Sequence, residues 1–226
     1  MAAKLASIIP IQPLAQSMPA ASIIGIKTGI ILRNRLLLKT PLLLTLLRAL
    51  LAPVVVLLAI HAPHPGAFGL CLTLAFFSDI FDGVVARRLQ VATPGLRRLD
   101  SIVDTLFYAA VTFAAWHLYP EAIREHFPAL LILLALEVGR YAFDFAKFGR
   151  EASYHMWSSK LWGISLFGGF FALLAMRQTG PWLAAPIYLG IIADLEGLAI
   201  SCVLRKWKSD VPSLVHAFRL RRLDPA

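Results

Sequence analysis

Four aspartates are the residues of this sequence whose type and spacing could do chemistry. Asp79 is the first acid of the chain, and Asp82, Asp100 and Asp104 follow within 26 positions. Residues three or four apart share a face of a helix, so each pair should project toward one point. Crowded carboxylates repel one another unless a cation neutralises them. Oxygen ligands without a His or Cys cluster nearby favour Mg²⁺, Mn²⁺ or Ca²⁺ over Zn²⁺.

The helices that hold these aspartates should span a membrane. Hydrophobic residues make up 58% of the 226 positions and charged residues 15%, which is far from the balance of a soluble domain. The chain is therefore predicted to be an all-α polytopic bundle, since about 20 apolar residues form one span. Six spans are predicted, at 41–60, 66–86, 101–119, 127–147, 161–176 and 182–203.

The basic residues predict how this bundle is oriented. Most of the 22 Lys and Arg precede the first span, follow the last, or lie between spans two and three or four and five. Only Arg124 and Arg177 fall on the opposite side, and Arg48 and Arg140 lie within spans. The positive-inside rule then predicts cytoplasmic termini and cytoplasmic aspartates. The net charge of +9 is explained by topology and anionic headgroups, so we expect no nucleic-acid partner.

Three regions are predicted along the chain. Residues 1–40 form a cytoplasmic N-terminal region with an amphipathic juxtamembrane segment, for which a transit peptide is the weaker alternative. Residues 41–203 form the transmembrane domain, and 204–226 a basic cytoplasmic tail. Two cysteines in apolar spans, Cys71 and Cys202, give no basis for a disulfide framework.

The stretch around the aspartates resembles the signature of the CDP-alcohol phosphatidyltransferase family, D-x-x-D-G-x-x-A-R-x8-G-x-x-x-D-x-x-x-D. The matching positions are Asp79, Asp82, Gly83, Ala86, Arg87, Asp100 and Asp104. One position departs, because the second glycine of the signature should fall at Leu96, and this chain has Gly95 one place earlier. The segment PLLLTLLRALLAP at 41–53 also resembles the first span of the family.

This resemblance implies an enzyme of phospholipid biosynthesis. Such an enzyme transfers a phosphatidyl group from a CDP-linked lipid, usually CDP-diacylglycerol, to the hydroxyl of an acceptor alcohol and releases CMP. By the same resemblance Asp79, Asp82, Asp100 and Asp104 would bind two Mg²⁺ or Mn²⁺ ions, with Asp104 also acting as general base. A homodimer in the bacterial inner membrane, with a cytoplasmic active site, would be expected.

The resemblance also implies binding sites for the two substrates. Gly83 and Ala86 would leave room for the cytidine beside Asp79 and Asp82, and Arg87 would contact a phosphate or pair with an aspartate. Basic residues of later spans would form an anion pocket for the acceptor, the candidates being Arg140, Arg150 and Lys160. The acceptor itself stays open among glycerol 3-phosphate, inositol phosphate, serine and a second lipid.

Other functions are compatible with parts of the pattern. A CDP-choline or CDP-ethanolamine phosphotransferase acting on diacylglycerol carries the same signature, and a divalent-cation transporter would also need intramembrane carboxylates. A catalytically inactive lipid-binding protein is a further alternative, since Leu96 stands where the signature has its second glycine. A purely structural network would pair the aspartates with nearby arginines, namely Arg87, Arg88, Arg97 and Arg98. The clustering of the acids near one membrane face favours the enzyme.

The later spans carry further charges. Glu137, Arg140 and Asp144 share one face of the fourth span, as a self-neutralising stripe or as part of acceptor recognition. Asp194 and Glu196 of the sixth span point to different sides, and at least one should neutralise a basic residue of a neighbouring span.

Overall fold

The computed structural model describes residues 20–88 and 93–223, with only the backbone described at 20–39, 86, 87, 94 and 97. These residues form helices and contain no strand. The helices are α1 (Ala20–His61), α2 (Pro65–Arg88), α3 (Pro94–Leu118), α4 (Pro120–Glu125), α5 (Phe127–Phe148), α6 (Trp157–Phe170), α7 (Pro181–Val203) and α8 (Leu214–Leu223). A π-helical turn, Phe171–Ala175, continues α6.

Proline and glycine mark several helix ends. Helices α3, α4, α5 and α7 each have a proline in the first turn, where its missing N–H leaves no helical hydrogen bond unmade. Helix α5 ends at Gly149, whose φ of 69° is in the left-handed region that glycine adopts without strain. Proline and glycine at these positions thus agree with where the helices begin and end.

The helices pack in two groups. Helix α1 packs against α2 and α3, and α7 packs against α5 and α6, while the π-helical turn contacts α2 and links the groups. The core of the first group contains Val55 and Ala59 of α1, Phe68 of α2, and Val111 and Ala114 of α3. Apolar residues at these positions pack the three helices together, and α2 and α3 carry the four aspartates of the signature.

Five helical segments are long and apolar enough to cross a membrane. They are Thr40–His61, Pro65–Val85, Arg98–Leu118, Trp157–Ala175 and Pro181–Val203, and they coincide with five of the six predicted spans. The remaining predicted span, 127–147, coincides with α5, a helix of 22 residues. Helix α5 does not count among the five, because Glu137, Arg140, Asp144 and Lys147 make it more charged. The count of six spans is therefore not confirmed.

The predicted terminal regions are described in part. Residues 1–19 of the predicted juxtamembrane segment lie outside the described residues, and 20–39 continue into the first span as one helix whose side chains are not described there. In the tail, α8 packs against α7, and Glu196 Oε1 accepts a hydrogen bond from the backbone N–H of Leu214 at 3.1 Å. Residues 224–226 lie outside the described residues.

Polar contacts join α5 to α7. Arg140 Nε donates to Asp194 Oδ1 at 2.9 Å, and the hydroxyl of Ser201 donates to Asp144 Oδ1 at 2.5 Å. The prediction that an acid of the last span neutralises a basic residue of a neighbouring span is confirmed by the Arg140–Asp194 pair. Arg140 thus forms its ion pair across the helix interface rather than within the stripe on its own helix.

Candidate active site

The structure brings the four aspartates together around the guanidinium of Arg48. Asp79 and Asp82 lie one turn apart in the C-terminal half of α2, and Asp100 and Asp104 lie in the first half of α3. Arg48 Nη1 donates to Asp79 Oδ1 at 2.8 Å and also to Asp104. Its Nη2 donates to Asp82 and to Asp100. One arginine of α1 therefore contacts both carboxylate pairs.

This cluster has a buried floor and an accessible side. The side chains of Arg48 and Asp82 are 2% and 5% exposed, whereas those of Asp79, Asp100 and Asp104 are 51%, 32% and 31% exposed. A ligand that approaches from the surface can therefore reach three carboxylates, while the fourth is held within the bundle.

The carboxylates fit a divalent cation. Ligand oxygens of Asp79, Asp82 and Asp100 all lie within 4.8 Å of one another, and carboxylate oxygens are the ligands that Mg²⁺ and Mn²⁺ prefer. Four carboxylates against one guanidinium leave a formal charge of −3, which an additional cation would offset. Asp104 is not part of this group of three and joins it through Arg48.

Arg48 is the site residue that the sequence analysis did not assign. It lies on a buried stripe of α1 with Thr45, Ala52, Val55 and Ala59, all at helical spacing. A buried arginine in an otherwise apolar span needs an acidic partner, and this is the signal by which it could have been found. The aspartates that contact it are 31 to 56 positions away in the chain.

The arginines near the signature, which a purely structural network would pair with the aspartates, are not the residue that contacts all four acids. Arg88 and Arg98 are exposed, and the side chains of Arg87 and Arg97 lie outside the described residues. The guanidinium bound to all four aspartates comes instead from α1. A single charge does not neutralise four acids, so a structural ion-pair network accounts for the cluster only in part.

The residues predicted to face the nucleotide are partly described. Gly83 is half-buried next to Asp82, while the side chains of Ala86 and Arg87 lie outside the described residues. Gly95 and Leu96 fall in the first turn of α3, where the N-cap Thr93 Oγ1 accepts a hydrogen bond from the Leu96 N–H at 3.2 Å. A Cβ added at Gly95 would meet no described atom within 4 Å, so packing against the described residues does not require glycine there.

The three predicted acceptor residues each have a local contact. Arg140 pairs with Asp194, the Arg150 guanidinium lies 4.8 Å from the Trp207 ring centre, and Lys160 Nζ lies 4.4 Å from that of Trp157. Among the described side chains, none of the three is bonded to the aspartate cluster. Their role in acceptor binding stays a prediction.

A small cavity opens beside the cluster, between α1, α2, α3 and α6. Its volume is about 20 Å³, which is enough for about one water molecule. Charged groups and aromatic rings line it, including Arg48, Asp79, Asp104, Phe76, Phe107 and Phe167. Asp104 and Asp79 therefore share access to a site large enough for a reacting oxygen.

Comparison with protein families shows which family the chain belongs to. The profile of the CDP-alcohol phosphatidyltransferase family matches residues 38–196, more than two thirds of the chain. The chain belongs to this family. The matched segment includes Arg48, the four aspartates and the three candidate acceptor residues. Comparisons with curated proteins and with solved structures gave no match.

Membership makes the chain one of a family of membrane transferases that act on CDP-alcohols. The signature that predicted the family lies at the C-terminal end of α2 and the N-terminal end of α3, and its four aspartates gather around Arg48. The departure at Leu96 is confined to the first turn of α3 and leaves the four aspartates gathered.

Proposed function

We propose that the protein transfers a phosphatidyl group from CDP-diacylglycerol to the hydroxyl of an acceptor alcohol and releases CMP. The observation that carries this proposal is the convergence of two carboxylate pairs from α2 and α3 at one partly accessible point. Intramembrane acids are costly and are usually functional. A CDP-linked lipid keeps its acyl chains in the bilayer and its pyrophosphate at the interface, so a site at helix ends suits it.

Metal binding is assigned to the carboxylates. Asp79, Asp82 and Asp100 would hold Mg²⁺ or Mn²⁺, and Asp104 would complete a site for two ions. Bound there, the ions would offset negative charge on the pyrophosphate and on the departing phosphate. The buried Asp82 would fix the floor of the site, and the exposed side of Asp79 would meet the substrate.

Asp104 is assigned as the general base. It lies outside the closest group of three carboxylates and lines the cavity, so one of its oxygens can accept a proton. It would take the proton of the acceptor hydroxyl as that oxygen attacks the phosphorus of the phosphatidyl group. A bond forms between the acceptor oxygen and phosphorus, and the bond from phosphorus to CMP breaks with its electron pair leaving on CMP. A positioned base contributes about 10²- to 10⁴-fold to such a step.

Substrate recognition is assigned by position in the family signature. Gly83, Ala86 and Arg87 would contact the CDP moiety beside Asp79 and Asp82. Arg140, Arg150 and Lys160 would recognise an anionic acceptor. The terminal nitrogens of Arg140 support this assignment, because its ion pair with Asp194 uses Nε and leaves the rest of the guanidinium fork without a hydrogen bond to a described residue.

The proposal includes six spans in a catalytic domain at 41–203, between an N-terminal region at 1–40 and a basic tail at 204–226. Helix α5 would be the sixth span, because its 22 residues are long enough and its charged groups Arg140 and Asp144 contact α7 rather than lipid. Both termini and the active site would be cytoplasmic, in a bacterial inner membrane and in a homodimer.

The proposal is tested with purified protein, CDP-diacylglycerol, Mg²⁺ and a panel of acceptors. We expect CMP release with at least one acceptor among glycerol 3-phosphate, inositol phosphate, serine and phosphatidylglycerol. Asp82→Asn should abolish the release, and Glu125→Gln, an exposed acid at the other end of the bundle, should not change it. A different result would contradict the proposal: no CMP release from CDP-diacylglycerol with any of these acceptors, but CMP release from CDP-choline in the presence of diacylglycerol. The protein would then be a CDP-choline-type phosphotransferase acting on diacylglycerol.

A further inference from the structure

We infer that Arg48 is a positioning residue that holds the four carboxylates together and competes with the divalent cation for them. This inference rests on the proposed function, because it concerns the same carboxylates. It adds a residue of α1 to a site that the family signature places only on α2 and α3.

The first step is the pattern of hydrogen bonds. Each terminal nitrogen of Arg48 joins one acid of α2 to one acid of α3: Nη1 bonds Asp79 and Asp104, and Nη2 bonds Asp82 and Asp100. The guanidinium thus connects three helices at one point. The side chains of Arg48 and Asp82 are almost fully buried, and hydrogen bonds between charged groups are stronger than those between neutral ones.

The second step is that the guanidinium and a metal ion need the same carboxylates. An ion held by Asp79, Asp82 and Asp100 coordinates oxygens at about 2.0 to 2.2 Å. Those oxygens lie within 4.8 Å of one another, and Arg48 already bonds one oxygen of each residue. Like charges repel, so a cation that enters this space weakens the hydrogen bonds of Arg48.

The third step is that Arg48 can give up these bonds. Its Nε is buried and has no hydrogen-bond partner among the described residues, so the guanidinium is held by its terminal nitrogens alone. Among the hydrogen bonds of the described residues, displacement of the guanidinium breaks those to the four carboxylates. In the metal-free protein Arg48 would keep the acids from driving α2 and α3 apart, and in the loaded protein the cation would take over that task.

Two effects of opposite sign follow for Arg48→Gln, which keeps a polar side chain and removes the charge. Without divalent cations the variant should unfold at a lower temperature, since the acids then repel one another. Its affinity for Mn²⁺ should rise, since the ion no longer has to displace a guanidinium. A residue with a merely structural role would lower both stability and affinity, or leave affinity unchanged.

The test measures two quantities on the purified full chain in detergent micelles. Free Mn²⁺ is followed by electron paramagnetic resonance during titration, and thermal unfolding is followed in EDTA and in saturating Mg²⁺. We expect Arg48→Gln to bind Mn²⁺ about tenfold more tightly than the wild type and to regain its lost stability in Mg²⁺. Arg48→Lys keeps the charge without the planar fork, and should give an intermediate Mn²⁺ affinity.

Arg140→Gln is the matched control, because Arg140 is partly buried, is paired with a buried aspartate and lies outside the cluster. It should lose the same stability in EDTA and in Mg²⁺ and bind Mn²⁺ like the wild type. If both Arg48 variants bind Mn²⁺ as tightly as the wild type or more weakly, the inference is wrong. The proposed function is unaffected by that result, because it rests on CMP release by the wild type. A wild type that neither binds Mn²⁺ nor releases CMP would overturn the proposed function together with the inference. If Arg48→Gln does not fold in either condition, the affinity of Arg48→Lys decides.

Discussion

At the scale of single residues, the four aspartates differ in environment although they match one signature. Asp82 is buried in the floor of the cluster, and Asp104 lines the adjacent cavity outside the closest group of three carboxylates. A buried ligand is hard to replace, while a carboxylate beside open space can exchange protons with a substrate. The two positions should therefore fail in different ways when each acid is changed to its amide.

Asp104→Asn should lower the rate of CMP release by about 10²- to 10⁴-fold, the range expected for loss of a general base. Binding of at least one Mn²⁺ ion should persist, because the three closest carboxylates are unchanged. Asp82→Asn should lose both CMP release and Mn²⁺ binding. The measurement is a CMP assay paired with Mn²⁺ titration on the same preparations. Equal loss of Mn²⁺ binding in the two variants would contradict the separate role of Asp104.

The glycine that departs from the family signature gives a second prediction. Gly95→Ala should leave CMP release unchanged and alter the free energy of unfolding by no more than about 1 kcal/mol, since an added Cβ meets no atom of the described residues within 4 Å and alanine favours a helix. Adjacent helical positions point about 100° apart, so Gly95 cannot fill the place of the family glycine at Leu96. A large rise in the KM for CDP-diacylglycerol would show that Gly95 contacts the nucleotide after all.

Spacing in the sequence predicted the aspartates but not their partner. Asp79 with Asp82, and Asp100 with Asp104, are local pairs whose shared helix face follows from periodicity. The contact of Arg48 with these pairs depends on how α1 packs against α2 and α3, and packing between distant segments leaves no local pattern. For the same reason, the sequence predicted that Asp194 or Glu196 would pair with a basic residue of a neighbouring span, but not that the pair would be Arg140 and Asp194.

At the scale of elements, close helix packing depends on a few glycines. A Cβ added at Gly169 of α6 would lie 2.7 Å from the carbonyl oxygen of Trp182 and 2.8 Å from Cγ of Pro186, both in α7. Backbone atoms cannot move aside as a side chain can. Gly168, the adjacent residue, has open space where its Cβ would be.

Gly169→Ala should therefore destabilise the protein by about 1 to 3 kcal/mol, the usual cost of overpacking. Gly168→Ala is the matched control and should cause no loss. Thermal unfolding in the same detergent compares the two variants. Equal midpoints would mean that α6 and α7 separate easily, in conflict with the close contact at Gly169.

Hydropathy and proline positions in the sequence predicted where the helices lie, but they did not predict the π-helical turn. The predicted span 161–176 covers most of α6 and its π-helical turn, but nothing in the run FALLA marks the change of hydrogen bonding. The start of α6 at Trp157 was missed by four residues, because the polar Ser158, Ser159 and Lys160 reduce the local hydropathy.

At the scale of the whole molecule, the position of α5 decides the topology. Five segments are long and apolar enough to span, and α5 is the sixth helix of comparable length. If α5 spans, the C-terminal ends of α2, α5 and α7 lie on the same side of the membrane. If it does not, residues after 148 change sides relative to the aspartates.

Single-cysteine labelling in a background without Cys71 and Cys202 separates these cases. Cysteines introduced at Arg88 and Glu151 should react with an impermeant thiol reagent from the cytoplasmic side, and one at Gln178 from the opposite side. All three side chains are exposed, so access is not limited by packing. Labelling of Glu151 and Arg88 from opposite sides would contradict a six-span topology.

The measurement that tests the account most directly is the dependence of product formation on divalent cations. Purified wild-type protein is supplied with CDP-diacylglycerol and the acceptor found in the panel, and both CMP and the new phospholipid are quantified. We predict one CMP for each phospholipid formed, no reaction in EDTA, and full recovery when Mg²⁺ is restored. An equal rate in EDTA, or CMP without a phospholipid product, would contradict transfer by a metal site built from the four aspartates.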